Sequence, residues 1–162
     1  GVRRCRMSVA ARLEALLEEQ AIDYEVLSHH HTESSMATAA SAHVPGDQLA
    51  KAVIVKLDDE YLMVVVPSDY HVHLGLLHRH LGENVGLATE EELGSLFPDC
   101  EVGAIPPVGR AYGMRTLVDE TLLDEPELFL ETGDHESLIK IGVEQFWDLQ
   151  GDAERVDVGQ HV

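Results

Sequence analysis

The chain has 162 residues, 44% of them hydrophobic and 25% charged, with 30 Asp and Glu against 11 Lys and Arg, for a net charge of −19. That length suffices for one domain with a real core, and no apolar run reaches the ~20 residues that a membrane-spanning helix needs. A surface this acidic repels phosphate backbones at long range, which argues against DNA and against general nucleic-acid binding.

In chain order, the basic residues 1–6 read as an upstream extension before a start at Met7, followed by an amphipathic helix over residues 8–20. Val9, Leu13, Leu16 and Leu17 share one face of that helix, with Ser8 as its N-cap. "DYEVLSH" reads as a short strand, and residues 34–43 as an alanine-rich helix stopped by Pro45 and Gly46. "AVIVKL" and "YLMVVV", separated by "DDE", form a hairpin. The second of these runs is apolar on both sides and so belongs in the middle of a sheet. "HVHLGLLHRHLG" is a helix ended by Gly82, "NVGLA" a short strand, and "TEEELGSLF" a helix with a Thr89/Glu92 capping box that Pro98 closes. A Gly/Pro-rich loop, "EVGAIPPVGRAYG", precedes three strands in "RTLVD", "ELFLET" and "SLIKI". "GVEQFWDL" forms a last helix, and residues 151–162 read as a polar C-terminal tail. The sum is an α+β fold, with about seven strands and four or five helices in one domain spanning 7–150. Cys5 and Cys100 have no metal-site or redox spacing, so the expectation is free thiols in a reducing, cytoplasmic compartment.

Three features could carry chemistry. The histidine groups His29–His31 and His71, His73, His78 and His80 lack a carboxylate at a familiar metal spacing, and read as solvated turn and helix residues. The loop from Gly103 to Gly113 combines glycine freedom with the stiffness of Pro106 and Pro107, a way to hold backbone N–H groups against an oxygen. Lys51 is one of only three lysines, with Lys56 and Lys140, yet it stands at the mouth of the first long apolar strand. No Walker loop, dinucleotide fingerprint or GxSxG elbow is present.

The ordered set "HTESSMATAASAHVPGDQLAKAVIV", "LMVVVPSDYHVHLGLL", "GAIPPVG", "LVDETLL" and "TGDHESLIKI" resembles the YbaK/prolyl-tRNA-synthetase-associated family of aminoacyl-tRNA editing domains, from about Tyr24 to Phe146. The resemblance implies a mixed, barrel-like sheet flanked by helices, and hydrolysis of the ester joining a wrong amino acid to the terminal ribose of a tRNA. It implies no metal and no cofactor. By this resemblance Lys51 matches the family's functional lysine, Gly103 and Pro106 its GxxP loop, and His135 a histidine of the alanine-editing branches. Thr32, Ala104, Ile105, Asp119, Gly133 and Asp134 fall at positions around the pocket. The implied partner is the acceptor end of a mischarged tRNA, with alanine or cysteine on tRNA-Pro as the expected substrates and an aminoacyl-tRNA synthetase as a possible associate. Ala52 departs from the pattern, because alanine-editing members often carry asparagine there and the cysteine-editing type threonine. A non-catalytic YbaK-like binding or regulatory module is the alternative expectation.

Overall fold

The computed structural model describes residues 10–28, 35–42, 44–101, 103–134 and 136–161. Its strands are β1 (Glu25–Ser28), β2 (Leu49–Lys56), β3 (Tyr61–Pro67), β4 (Tyr70–Val72), β5 (Gly86–Leu87), β6 (Arg115–Asp119), β7 (Glu127–Glu131), β8 (Ser137–Gly142), β9 (Glu154–Val156) and β10 (Gly159–His161). Its α-helices are α1 (Ala11–Glu19), α2 (Ser35–Ala42), α3 (Leu74–Leu81), α4 (Glu90–Leu96) and α5 (Val143–Leu149). The main sheet is mixed and eight-stranded, in the order β1-β8-β7-β2-β3-β6-β9, with β5 on β2; β4 and β10 form a separate ribbon.

The β2–β3 hairpin is antiparallel and runs from Ala50↔Pro67 to Lys56↔Tyr61. β3 is buried along nearly its whole length, because β6 covers its other edge in parallel and both of its faces are packed. Alternation then sorts the strand side chains into two layers. Ala50, Ile54, Met63, Val65, Val118, Leu130 and Ile139 point to one face, where Leu13, Leu16 and Leu17 of α1 and Phe146 and Leu149 of α5 complete the larger core. Val55, Leu62, Val64, Val66 and Leu117 point the other way, onto Leu77 of α3. On that same face α2 covers Leu49 and Leu138 with Ala39.

Two expectations are corrected. Residues 151–162 are not a free polar tail, since β9 adds to the sheet beside β6 and β10 pairs with β4. Three-residue strands are too short to show a period, so composition alone made this segment look like an appendage. Helix α1 begins at Ala11 with Ala10 at its N-cap and no side-chain cap; Ser8 and Val9 lie outside the described residues. In place of a cap, the Ala10 N–H donates to the Thr132 carbonyl at 2.7 Å, tying the helix start to the end of β7. The Thr89/Glu92 capping box forms as the sequence predicts.

Candidate functional site

The site is assembled by strand register. Lys51 faces Val66 across the β2–β3 ladder. The parallel β2–β7 ladder pairs Leu49 with Phe129 and Ala50 with Leu130, so Lys51 and Glu131, the last residue of β7, are the next residues along the two strands and lie on the same face, one step past the last paired residues. Glu131 faces Leu138, and Leu138 faces Leu27. In the other direction Val65 pairs with Val118, which brings Asp119 beside Val66, and Asp119 faces Val156. Residues opposite one another across a ladder share a face. One row crossing seven strands therefore carries three ionisable side chains, Glu131, Lys51 and Asp119. Glu131 and Asp119 are fully buried. The composition of β7 gave no signal for Glu131; only the register does.

An opening in the sheet frames the lysine. β7 pairs with β2 only as far as Ala50, and β5 takes over the same edge at Val55 and Lys56. Lys51, Ala52 and Val53, between the two, are only partly buried. Lys51 Nζ donates to the Ser68 carbonyl at 3.4 Å, and it has no other hydrogen bond or ion pair among the described residues. Burial pushes the pKa of Lys51 down, and the carboxylate of Asp69 opposes that shift. The sequence thus places a cation in an interior position with most of its donor capacity uncommitted, which is neither a strand-edge device nor a surface ion pair.

The turn holding Ser68 and Asp69 is tight. Ser68 is fully buried; its N–H reaches the carbonyls of Leu49 at 2.8 Å and Gly46 at 3.1 Å, and its hydroxyl donates to Gly46 at 2.8 Å. Asp69 packs so close to Gly46 that a Cβ there would lie 3.2 Å from the Asp69 Cβ.

Asp119 and Asp134 have scaffolding positions. Asp119 Oδ1 accepts from the Thr121 N–H and hydroxyl, and Oδ2 from the N–H groups of Val158 (3.2 Å) and Gly159 (2.7 Å). Asp134 Oδ1 accepts from the N–H groups of Glu136 (2.8 Å) and Ser137 (3.0 Å) and from the Thr132 hydroxyl (3.3 Å), and the Ser137 hydroxyl reaches Oδ2. This is an Asx-type turn that closes β7 onto β8. Gly133 in that turn has φ +115°, and its missing side chain leaves room for Ala10 and the Cys100 sulfur.

The GxxP loop reaches the same end of the sheet, since the Glu101 N–H donates to the Gly133 carbonyl at 2.7 Å. Gly103 is exposed with φ +91°, whereas Ala104, Ile105 and Pro106 are buried. Ile105 packs into the core on the face opposite Lys51, so its side chain and the lysine do not converge. The Ala104 N–H is spent within the loop on the Glu101 carbonyl at 3.1 Å. Prolines have no N–H, so the loop's remaining donors in this stretch are those of Gly103 and Ile105. Thr32 and His135 lie outside the described residues.

The histidines of the 71–80 stretch have structural partners. His73 caps α3 by accepting from the Leu76 N–H, His78 donates to the Glu83 carbonyl, His71 meets Gln160, and His80 lies 3.5 Å from Glu154. Among the described residues no three His, Cys, Asp or Glu side chains gather as a metal site would require. A cleft of about 470 Å³ between Arg110, Arg115, Gln150 and Asp152 lies toward the other end of β6 and contains none of the expected site residues.

The family model of the aminoacyl-tRNA editing domain matches residues 29–149, which take in the lysine, the loop and the β7–β8 turn. The chain belongs to the aminoacyl-tRNA editing domain family. A Ser/Thr-tRNA deacylase of Escherichia coli, ProXp-y, is 26% identical over 118 residues, 70% of each chain. A proline–tRNA ligase of Bacillus cytotoxicus is 29% identical over 85 residues, 52% of this chain but only 15% of the ligase. The chain therefore spans a small fraction of that enzyme. A crystal structure of a candidate trans-editing enzyme for prolyl tRNA synthetase superposes with a TM-score of 0.81 over 93% of this chain and 96% of that one, at 24% identity. That likeness establishes the fold. The editing-domain membership predicted from the ordered motifs holds.

Proposed function

We propose that this editing domain is an aminoacyl-tRNA deacylase that removes a small, wrongly attached amino acid from the acceptor end of a tRNA. The observation that carries the reading is Lys51: a partly buried ammonium at an opening in the sheet, holding one 3.4 Å bond to Ser68. Such a point charge suits the terminal phosphate or the polarised ester oxygen of an aminoacyl-adenosine.

In this mechanism water attacks the ester carbonyl carbon, and a tetrahedral oxyanion forms. The Gly103 and Ile105 N–H groups are the loop donors available to it; losing one such donor typically costs about 10²–10³ in rate. The carbon–oxygen bond to the ribose then breaks. The ribose oxygen takes up the proton released by the attacking water, giving a free amino acid and a tRNA with its terminal hydroxyl restored. By the family resemblance, His135 positions the amine or the water, and Thr32 is a substrate-binding residue. Recognition of the acceptor end alone is compatible with a net charge of −19, because a short segment brings few phosphates near the acidic surface.

Alanine and cysteine on tRNA-Pro are the proposed substrates, and the named activity of the Escherichia coli relative adds serine and threonine to the candidates. The test is a deacylation time course on alanyl-, cysteinyl-, seryl- and threonyl-tRNA, each on tRNA-Pro and on its cognate tRNA. Hydrolysis of at least one mischarged species names the substrate. A folded protein that hydrolyses none of them but binds aminoacyl-adenosine analogues would instead be the binding module.

A further inference from the structure

The last residues of the chain contact the turn beside the lysine. β10 pairs with β4 in the register His161↔Tyr70 and Gln160↔His71, and the His161 ring meets Tyr70 edge-on at 5.3 Å. That register carries His161 Nε2 to within 3.3 Å of Asp69 Oδ2. The other oxygen, Oδ1, is buried and has no hydrogen-bond partner among the described residues. Asp69 is next in the chain to Ser68, whose carbonyl receives Lys51. Residues 150–162 lie beyond the segment that the editing-domain model matches.

We infer that Asp69 is a positioning residue for Lys51, supplying the counter-charge that keeps its ammonium protonated in a partly buried site, and that His161 holds Asp69 in place from outside the matched domain. A buried amine without a nearby anion loses its proton readily, and a neutral Lys51 could not serve as the working cation. Asp69 is fixed from two sides, by Gly46, which leaves no room for a Cβ without displacing it, and by His161. Among the described residues, the other ionisable groups on the same face of the sheet are Glu131, one step past the β2–β7 pairing, and, one strand further, Asp119 from β6, whose oxygens are already engaged. Asp47, in the short 3₁₀ turn before β2, is exposed. The C-terminal strand thereby becomes part of the site.

The inference rests on the reading of Lys51 as the working cation, but its test needs no substrate. With only three lysines in the chain, ¹³C-dimethylation of the intact protein gives one resolvable NMR signal for each, assigned with Lys→Arg variants. The signals are titrated with pH in the wild type, Asp69→Asn and His161→Gln. Asp69→Asn is expected to move the Lys51 midpoint about one pH unit lower, leaving Lys56 and Lys140 where they were. His161→Gln, at a mostly exposed side chain that folding can spare, is expected to move it the same way by less. An imidazole carries no charge at the alkaline pH where lysines lose theirs, so that second shift reports position and not a through-space charge. A Lys51 midpoint unchanged in either variant overturns the inference. A wild type without deacylase activity would overturn the proposed function and leave this result standing.

Discussion

The Asp119 carboxylate accepts a 2.7 Å hydrogen bond from the backbone N–H of Gly159, forty residues further along the chain. Its other oxygen holds Thr121 at the turn that follows β6. A Cβ on residue 159 would lie 2.8 Å from Asp119 Oδ2 and 3.0 Å from the Tyr70 ring, so the close approach requires glycine. This clasp is what seats β10 on β4 beside the candidate site.

Replacing Asp119 with alanine leaves four donors without their acceptor in a fully buried position. Each buried unsatisfied group costs ~1–3 kcal/mol, so Asp119→Ala should lose about 3 kcal/mol or more of unfolding free energy. Urea denaturation measures the loss, and limited proteolysis should find new cleavage after residue 156 as β10 detaches. Asp119→Asn, which keeps an acceptor, should lose less. Equal stability of Asp119→Ala and wild type would contradict the clasp.

Glu92 is a surface hub whose effect depends on acid. It closes the capping box on Thr89, accepts from the Tyr61 hydroxyl and ion-pairs with Lys56 at 2.9 Å. Those bonds, led by the Thr89 N–H, hold its carboxyl down to about 2 from an ordinary 4.5. A carboxyl depressed on folding contributes stability that is complete above its unfolded value and is lost as pH falls through its folded one. The melting temperature should therefore fall between pH 4.5 and 2 more steeply in the wild type than in Glu92→Gln. Identical slopes in that window would contradict the assignment.

Cys100 is a free, partly buried thiol that its surroundings should make unreactive. Burial pushes its pKa up to about 12, and its sulfur sits 3.2 Å from the Tyr112 hydroxyl and 3.3 Å from Asp99. Because the thiolate is the reactive form, a Cys5→Ser protein should resist iodoacetamide at pH 8 for hours and react promptly after unfolding. Rapid alkylation of the folded protein would show that this packing is wrong.

Lys51 makes a pH prediction of its own. Its pKa is lowered by burial, so the charge that the mechanism needs disappears below the usual lysine range. The kcat/KM profile should fall on its alkaline side at a pH lower than 10.5. Stability should move oppositely: between the folded and unfolded pKa values the unfolded chain binds more protons, so unfolding free energy rises with pH there. A rate profile flat through the alkaline range would separate Lys51's charge from turnover.

The long strands, the β2–β3 hairpin, the central place of β3 and the Thr89 capping box were all legible, because each rests on a local pattern of a period or a cap. Lys51 was legible because so few cations exist in the chain. What local pattern could not supply was the company Lys51 keeps. Glu131 looks like any strand-end acid until the β2–β7 register puts it on the same face as the lysine, one step past the last paired residues. Asp69 and His161 are brought together only by pairing of two three-residue strands about ninety residues apart, and short strands of polar composition carry no periodicity. Asp119 and Asp134 hold loops through their hydrogen bonds, and sequence does not reveal such bonds.

The most direct test of the account is the rate of deacylation of mischarged tRNA-Pro by wild type and Lys51→Ala, with the fold of each checked by circular dichroism and thermal melting. Hydrolysis by the wild type and a loss of at least about 10²-fold in the variant are expected, with both proteins folded. A folded Lys51→Ala that deacylates at the wild-type rate would contradict it.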